Sequence, residues 1–177
     1  MRIPVVLDAN DMACCLARPS VGDAVGWSLA WHDDPTHPAA SEIRWSAEPL
    51  QLDEHESRHI GVESGTLLTR GPLSAWWRGD ERSAPYRGVL VAEAHGFVPD
   101  AVPPVRGRAR EVAVLIELHR QVRLQHWAAV PELTTTWPMA DGDEELDWEE
   151  FTALAGPVPA GHDRRPGGAL VVVDVHA

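Results

Sequence analysis

The chain has 177 residues, 44% of them hydrophobic and 24% charged, so it can bury one sizeable core and is too apolar for wholesale disorder. Its 27 acidic residues against 15 basic ones give a net charge of −12, which repels phosphate backbones and anionic lipid and disfavours general nucleic-acid binding and membrane docking. Every basic residue is arginine; without lysine, Schiff-base and phosphate-loop lysine chemistry is excluded.

The opening segment Ile3 to Leu7 is short, apolar and β-branched, which predicts a strand. Asp8-Ala9-Asn10-Asp11 ends it with turn chemistry. Cys14 and Cys15 are the only cysteines and are adjacent; such neighbours rarely bridge, so a disulfide-framed secreted domain is not expected. The N-terminal apolar run is too short for a signal sequence, and no run approaches the roughly 20 residues of a membrane span. A cytoplasmic protein of one domain is expected, with no membrane partner.

Val21-Gly22-Asp23 reads as a tight turn. Val25, Trp27, Leu29 and Trp31 then alternate with small residues, the period of a half-buried strand. Residues 32–38 (HDDPTHP) form a loop; His32, Asp33, Asp34 and His37 resemble a metal-friendly set, but the two prolines favour an ordinary exposed turn. Ile43, Trp45 and Ala47 suggest a strand that Leu50 and Leu52 extend past Pro49. Thr66 to Leu68 and Tyr86 to His95 are further strand candidates, and 99–104 is a proline-rich connector. Segment 105–127 satisfies both a helical and a two-residue period; its β-branched content favours strand. As a strand, the face that begins with Arg106, Arg108 and Arg110 turns apolar from Val112 onward. A bulge near Arg110-Glu111 would repair that parity. Near the end, Asp147-Trp-Glu-Glu150 is a capping-box-like start for a helix over 147–155, stopped by Gly156-Pro157, and Ala169 to Val175 reads as a closing strand. The expected fold is therefore mainly β: a small barrel or compact sandwich of short, mostly antiparallel strands with one short helix near 147–155.

Residues 55–59, His55-Glu56-Ser57-Arg58-His59, spell the H-E-x-x-H pattern in which a helix carries two zinc ligands and a general base on one face. Residues 53–59 are entirely polar, Arg58 brings positive charge, and the spacing of Glu63, Glu81 and Glu93 selects no third ligand. A solvated loop is the expectation. Asp8, Asp11, Cys14 and Cys15 offer a mixed oxygen and sulfur set, for which the plainer reading is a small buried thiol pair behind a turn. No G-x-S-x-G, G-x-G-x-x-G or phosphate loop occurs. Arg106, Arg108, Arg110, Arg120 and Arg123 form the one basic run, able to hold an acidic ligand or else paired with the chain's own carboxylates. Among eight tryptophans, Trp76 and Trp77 are consecutive, so one strand cannot point both inward; at least one is expected at a surface, pocket rim or interface.

DANDMACCLARPSVGDAVGWSL (8–29), together with AEAHGFVPDAVPPVRGRAREV further on, resembles an actinobacterial family of unknown function with a D-x-x-M-x-C-C element followed by V-G-D-x-V-x-W-x-L. Met12, Cys14, Cys15, Val21, Gly22, Asp23, Val25, Trp27 and Leu29 match those elements, and His95, Gly96, Pro103, Pro104, Gly107 and Val112 match later ones. The resemblance implies a small cytoplasmic protein and carries over no catalytic residues. The leading functional reading is a non-enzymatic module that binds a protein partner or small ligand through Trp76, Trp77 and Arg106, Arg108 and Arg110, needs no cofactor and can self-associate. The alternatives are a zinc hydrolase with His55 and His59 as ligands, and a nucleic-acid-associated barrel using Arg106 to Arg110.

Overall fold

The structure, a computed structural model, describes residues 1–79, 86–123, 126–130, 135–139 and 148–176. Its elements in chain order are β1 (Arg2–Asp8), α1 (Ala9–Cys14), β2 (Ala24–His32), β3 (Ser41–Ile43), β4 (Ser46–Gln51), α2 (Glu54–Ile60), β5 (Ser64–Arg70), β6 (Leu73–Trp77), β7 (Tyr86–Glu93), β8 (Val105–Arg123), β9 (His126–Ala129), β10 (Thr135–Pro138), α3 (Trp148–Ala155) and β11 (His162–Val175). The protein is mainly β, as its alternating apolar pattern predicts. All the strands join one sheet, in the order β10-β8-β11-β1-β7-β2-β6-β5-β4, with β3 on β7 and β9 on β8. Most pairings are antiparallel; β1–β7 and β2–β6 are parallel. The first residues of β2 also pair with the start of β8, Ala24 to Trp27 against Arg108 to Val105. Pairing therefore runs β8–β11–β1–β7–β2 and back to β8, a circuit of five strands within the single sheet.

Strand β8 settles the ambiguous segment as β structure, and its parity problem is solved where the side chains demanded it. Ala109 lies opposite Val173 and Glu111 opposite Val172, so Arg110 is the extra residue of a bulge. Before the bulge, Val105, Gly107 and Ala109 are buried while Arg106 and Arg108 are exposed; after it, Val112, Val114, Ile116 and Leu118 are buried. One unpaired residue flips the inward set.

The main core gathers Ile3, Val5 and Leu7 of β1, Val171 and Val173 of β11, Leu29 and Trp31 of β2, and Trp77 of β6. Trp76 points to the opposite face, where Val98 and Val102 of the proline-rich connector pack over it with Leu50, Leu52, Val62 and Leu67 alongside. Both indoles are thus buried, at 1% and 4% exposure, so neither lies on open surface, though both border a cavity. The alternation argument was sound, but here the sheet is covered on both sides. Two glycines make the room: a Cβ on Gly65 would lie 2.3 Å from the Trp76 ring, and one on Gly79 would lie 2.1 Å from that of Trp77.

Three other expectations need correction. The turn after β1 is the short helix α1, because the Asp8 carboxylate caps it by accepting from the Asn10 N–H at 2.7 Å. The polar stretch 54–60 is α2 and not a loop. Asp53 accepts from the Glu56 N–H at 2.8 Å, Glu56 closes the reciprocal half of a capping box, Ile60 is buried, and Gly61 ends the helix at φ 81°. The stretch from Ile43 to Leu52 is two strands, β3 and β4, and Pro49 is tolerated because β4 ends the path of the sheet. The helix predicted over 147–155 is present as α3, with Gly156 at φ 72° behind it; Asp147 lies outside the described residues. Phe151 of α3 is buried against Trp137, edge to face at 5.3 Å. Among the described residues, no helix is long and apolar enough to cross a membrane.

Candidate functional site

Strands β1 and β7 are parallel neighbours, with Val6 opposite Val91 and Leu7 opposite Ala92. Their carboxyl ends therefore open on the same edge. Helix α1 leaves β1 there, carrying Asp11, Cys14 and Cys15, and β7 ends there at Glu93, two residues before His95. Residues some eighty positions apart meet because of that pairing.

His95 is the hub. Its Nδ1 lies 3.0 Å from an Asp11 carboxylate oxygen and 3.8 Å from Glu93. Its Nε2 lies 3.3 Å from the Cys14 sulfur and 3.7 Å from that of Cys15. With a buried carboxylate against Nδ1, the proton belongs on Nδ1, and the Nε2 lone pair faces the two thiols. The main chain of His95 is held too: its N–H donates to Glu93 at 2.9 Å, and its carbonyl accepts from His59 Nε2 at 3.0 Å. Adjacent residues in a helix point about 100° apart. Here Cys15 has already left helical geometry, with φ −139° and ψ −26°, and that break lets both sulfurs face one imidazole. Both thiols are exposed, contrary to the expected buried pair. Asp8, grouped with them in the sequence reading, instead caps α1.

Two chemistries fit an Asp–His–thiol line. One is a thiol nucleophile, for which the surroundings are wrong. Cys14 sits at the C-terminal end of α1, where the helix dipole disfavours a thiolate. The hydrogen bond with Cys15, reinforced by desolvation and the nearby negative charge of Cys15 and Asp11, pushes its pKa up to about 11. The Cys15 and Leu16 N–H groups, candidates to stabilise an oxyanion, both donate to the Asp11 carbonyl at 2.8 Å. The other chemistry is metal binding. Zinc bonds of about 2.3 Å to sulfur and 2.0–2.1 Å to nitrogen at a tetrahedral angle place S and N about 3.6 Å apart. The donor atoms of Cys14, Cys15 and His95 all lie within 4.8 Å of one another, with the two S···N separations close to that value. Asp11 and Glu93 form a second overlapping group with His95. A cation also reverses the thiol's reluctance to ionise, because the coordinated sulfur is deprotonated outright.

The H-E-x-x-H segment is helical, but two of its three pattern groups, His59 and Glu56, are otherwise engaged. His59 donates to the His95 carbonyl and stacks on Phe97, with centroids 5.4 Å apart. Glu56, the base of the pattern, accepts from the Asp53 and Asp100 N–H groups. His55 is exposed. Among the described residues, no group of three possible ligands includes His55 or His59. The helix buttresses the 93–100 segment from which His95 projects.

Among the five arginines of the basic run, three belong to the candidate surface. Arg110 pairs with Asp174 at 3.1 Å, and this bond, with the terminal amine, holds the Asp174 carboxyl below the usual range. Arg108 donates to the Gly22 carbonyl at 2.7 Å. Among the described residues, neither Arg106 nor Arg108 has an acidic partner. In the 32–38 loop, Asp34 accepts from Thr36 and His37 and closes the turn. Desolvation holds half-buried His37 below the ordinary imidazole value, and desolvation with the Arg78 charge does the same at His32, although the His32 side chain keeps contact with solvent. Trp76, Trp77 and His32 border a cavity of about 470 Å³ that shares Glu93 and Phe97 with the thiol–imidazole site.

Sequence reasoning named Asp11, Cys14 and Cys15 as a set but did not join His95 to them. In the sequence Glu93 is a candidate only as a third ligand for the H-E-x-x-H helix. The usable signal lay in the resemblance, whose Cys-Cys and His-Gly elements are the two that meet here.

The chain belongs to the family of unknown function DUF6578, whose family model matches residues 1–175. No curated protein and no solved structure matches it.

Proposed function

We propose that the protein is a small binding module whose ligand is a soft divalent cation, zinc foremost, held by Cys14, Cys15 and His95. The observation that carries this reading is one imidazole nitrogen facing two exposed thiols while the other is fixed by a buried carboxylate. Thiolate with imidazole is the donor set that favours zinc over hard cations. Asp11 takes the place of the carboxylate that orients a metal-bound histidine and raises its basicity. Three protein donors leave a fourth position for water or a small ligand. This centre supplants the zinc hydrolase built on His55 and His59, since His59 and the pattern base Glu56 are engaged in holding the segment that carries His95.

The test is metal content and spectroscopy on protein purified without an affinity tag. One zinc per chain is expected, lost in the Cys14→Ser, Cys15→Ser double variant and in His95→Ala. Cobalt substitution should give a thiolate-to-metal charge-transfer band that weakens when one cysteine is replaced and disappears when both are. Folded protein that takes up no zinc or cobalt with its thiols reduced, or metal that stays when those three residues are replaced, sinks the proposal.

A further inference from the structure

Where the start of β2 lies beside the start of β8, the surface is cut by a groove of about 990 Å³. Arg106, Arg108 and His176 line it, with Gly26 on its floor and Pro72 and Pro104 as apolar walls. The chain carries a net charge of −12, yet among the described residues no aspartate or glutamate lines this groove. The alternation of β8 puts Arg106 and Arg108 on one exposed face, about 7 Å apart at roughly 3.4 Å per residue. Gly26 lies opposite Arg106 in the antiparallel register and has no side chain to cover it. The bond to Gly22 steadies Arg108 and leaves its remaining N–H groups available. Arg110, on the same strand, is neutralised by Asp174, so the contrast lies within one strand.

Two guanidinium groups that cannot shed their charge, standing side by side with no carboxylate partner among the described residues, form a fork suited to an oxyanion. We infer that this groove binds a small organic anion, a phosphate ester or a carboxylate, with its charged end on Arg106 and Arg108 and its body against Pro72 and Pro104. A long polyanion fits less well: two arginines secure only a short stretch of backbone, and the remainder meets a strongly negative protein. The inference is independent of the metal centre.

Calorimetric titration at low ionic strength with inorganic phosphate, and separately with citrate, tests it. Saturable one-to-one binding of at least one probe is expected, weakened tenfold or more by Arg106→Ala and by Arg108→Ala and retained in Arg110→Ala. Gly26→Glu provides a variant with both arginines in place. A Cβ there meets only the Arg106 Cγ, at 3.8 Å, so the fold accepts it, and its carboxylate should abolish binding. Preference for phosphate points to a phosphate ester, and preference for citrate to a carboxylate. Absence of saturable binding by either probe overturns the inference, as does binding that Gly26→Glu and Arg106→Ala leave intact. Tighter binding of a single-stranded oligonucleotide, lost in the same variants, would replace it with a nucleic-acid site. Binding should survive in the Cys14→Ser, Cys15→Ser variant, which separates this outcome from that of the metal proposal.

Discussion

Helix α2 and the edge formed by α1 and the end of β7 both carry histidine beside carboxylate, and they stand in opposite relation to the sequence. In α2 the spacing is that of a metal site, but His59 and Glu56 are occupied in hydrogen bonds to the 93–100 segment. At the other edge no local motif exists, yet two thiols and an imidazole converge and the carboxylate behind the imidazole is already in place. Spacing supplies a shared face; ligation also needs uncommitted lone pairs and a third donor.

The largest effect separates the two regions outright. His95→Ala should abolish zinc binding, whereas the His55→Ala, His59→Ala double variant should keep one zinc per chain by elemental analysis; the reverse result would move the centre onto α2. Next comes Asp11→Asn, which leaves the three donors but weakens the acceptor that fixes His95. It should cost about 10–100-fold in zinc affinity, the usual effect of losing such a partner, as read by competition with a chromophoric chelator. Asp53→Ala removes the cap of α2 and should lower stability by about 1 kcal/mol in a urea titration without changing metal stoichiometry. A loss of stoichiometry there would mean that α2 is part of the centre and not its support. Acidification probes the nearby loop. His32 and His37 are held below the unfolded imidazole value, so their contribution is complete above about pH 6.5 and is lost as pH falls through their folded values, because the unfolded chain then binds more protons. The groups around them are Arg78, Glu93 and Asp34 for His32, and Asp34 and Glu117 for His37. Replacing both with glutamine should flatten that acid limb in a series of urea titrations. Smallest of all, His55→Ala should leave stability within about 0.5 kcal/mol, as an exposed position does.

The strands were legible wherever one face is buried, since a two-residue period then appears in the side chains, as in Val25 to Trp31. Even the bulge at Arg110 could be read, because only an inserted residue reconciles exposed Arg106 and Arg108 with buried Val112 and Val114. That both Trp76 and Trp77 are covered was not legible, because the cover of Trp76, Val98 and Val102, comes from a segment with no local link to β6. Helix α2 was misread through its polarity, although Asp53 with Glu56 carries the same capping signal that located α3. The site itself was legible only in halves. Cys14, Cys15 and Asp11 stand together in the chain, but His95 joins them through the parallel pairing of β1 and β7, and parallel partners leave no turn between them to betray the register.

The pairing of Arg2 to Asp8 with Gly168 to Asp174 also governs how the molecule is made. At roughly 5–20 residues per second, a ribosome that has released β1 needs about 10–30 s more to deliver the strand that closes over it. During that interval Ile3, Val5, Val6 and Leu7 wait with an open edge, the kind of segment that recruits chaperones or sticks to its own copies. Pro4 interrupts that apolar run and Arg2 and Asp8 flank it, and in this light they act as guards for a nascent chain as much as parts of a finished one.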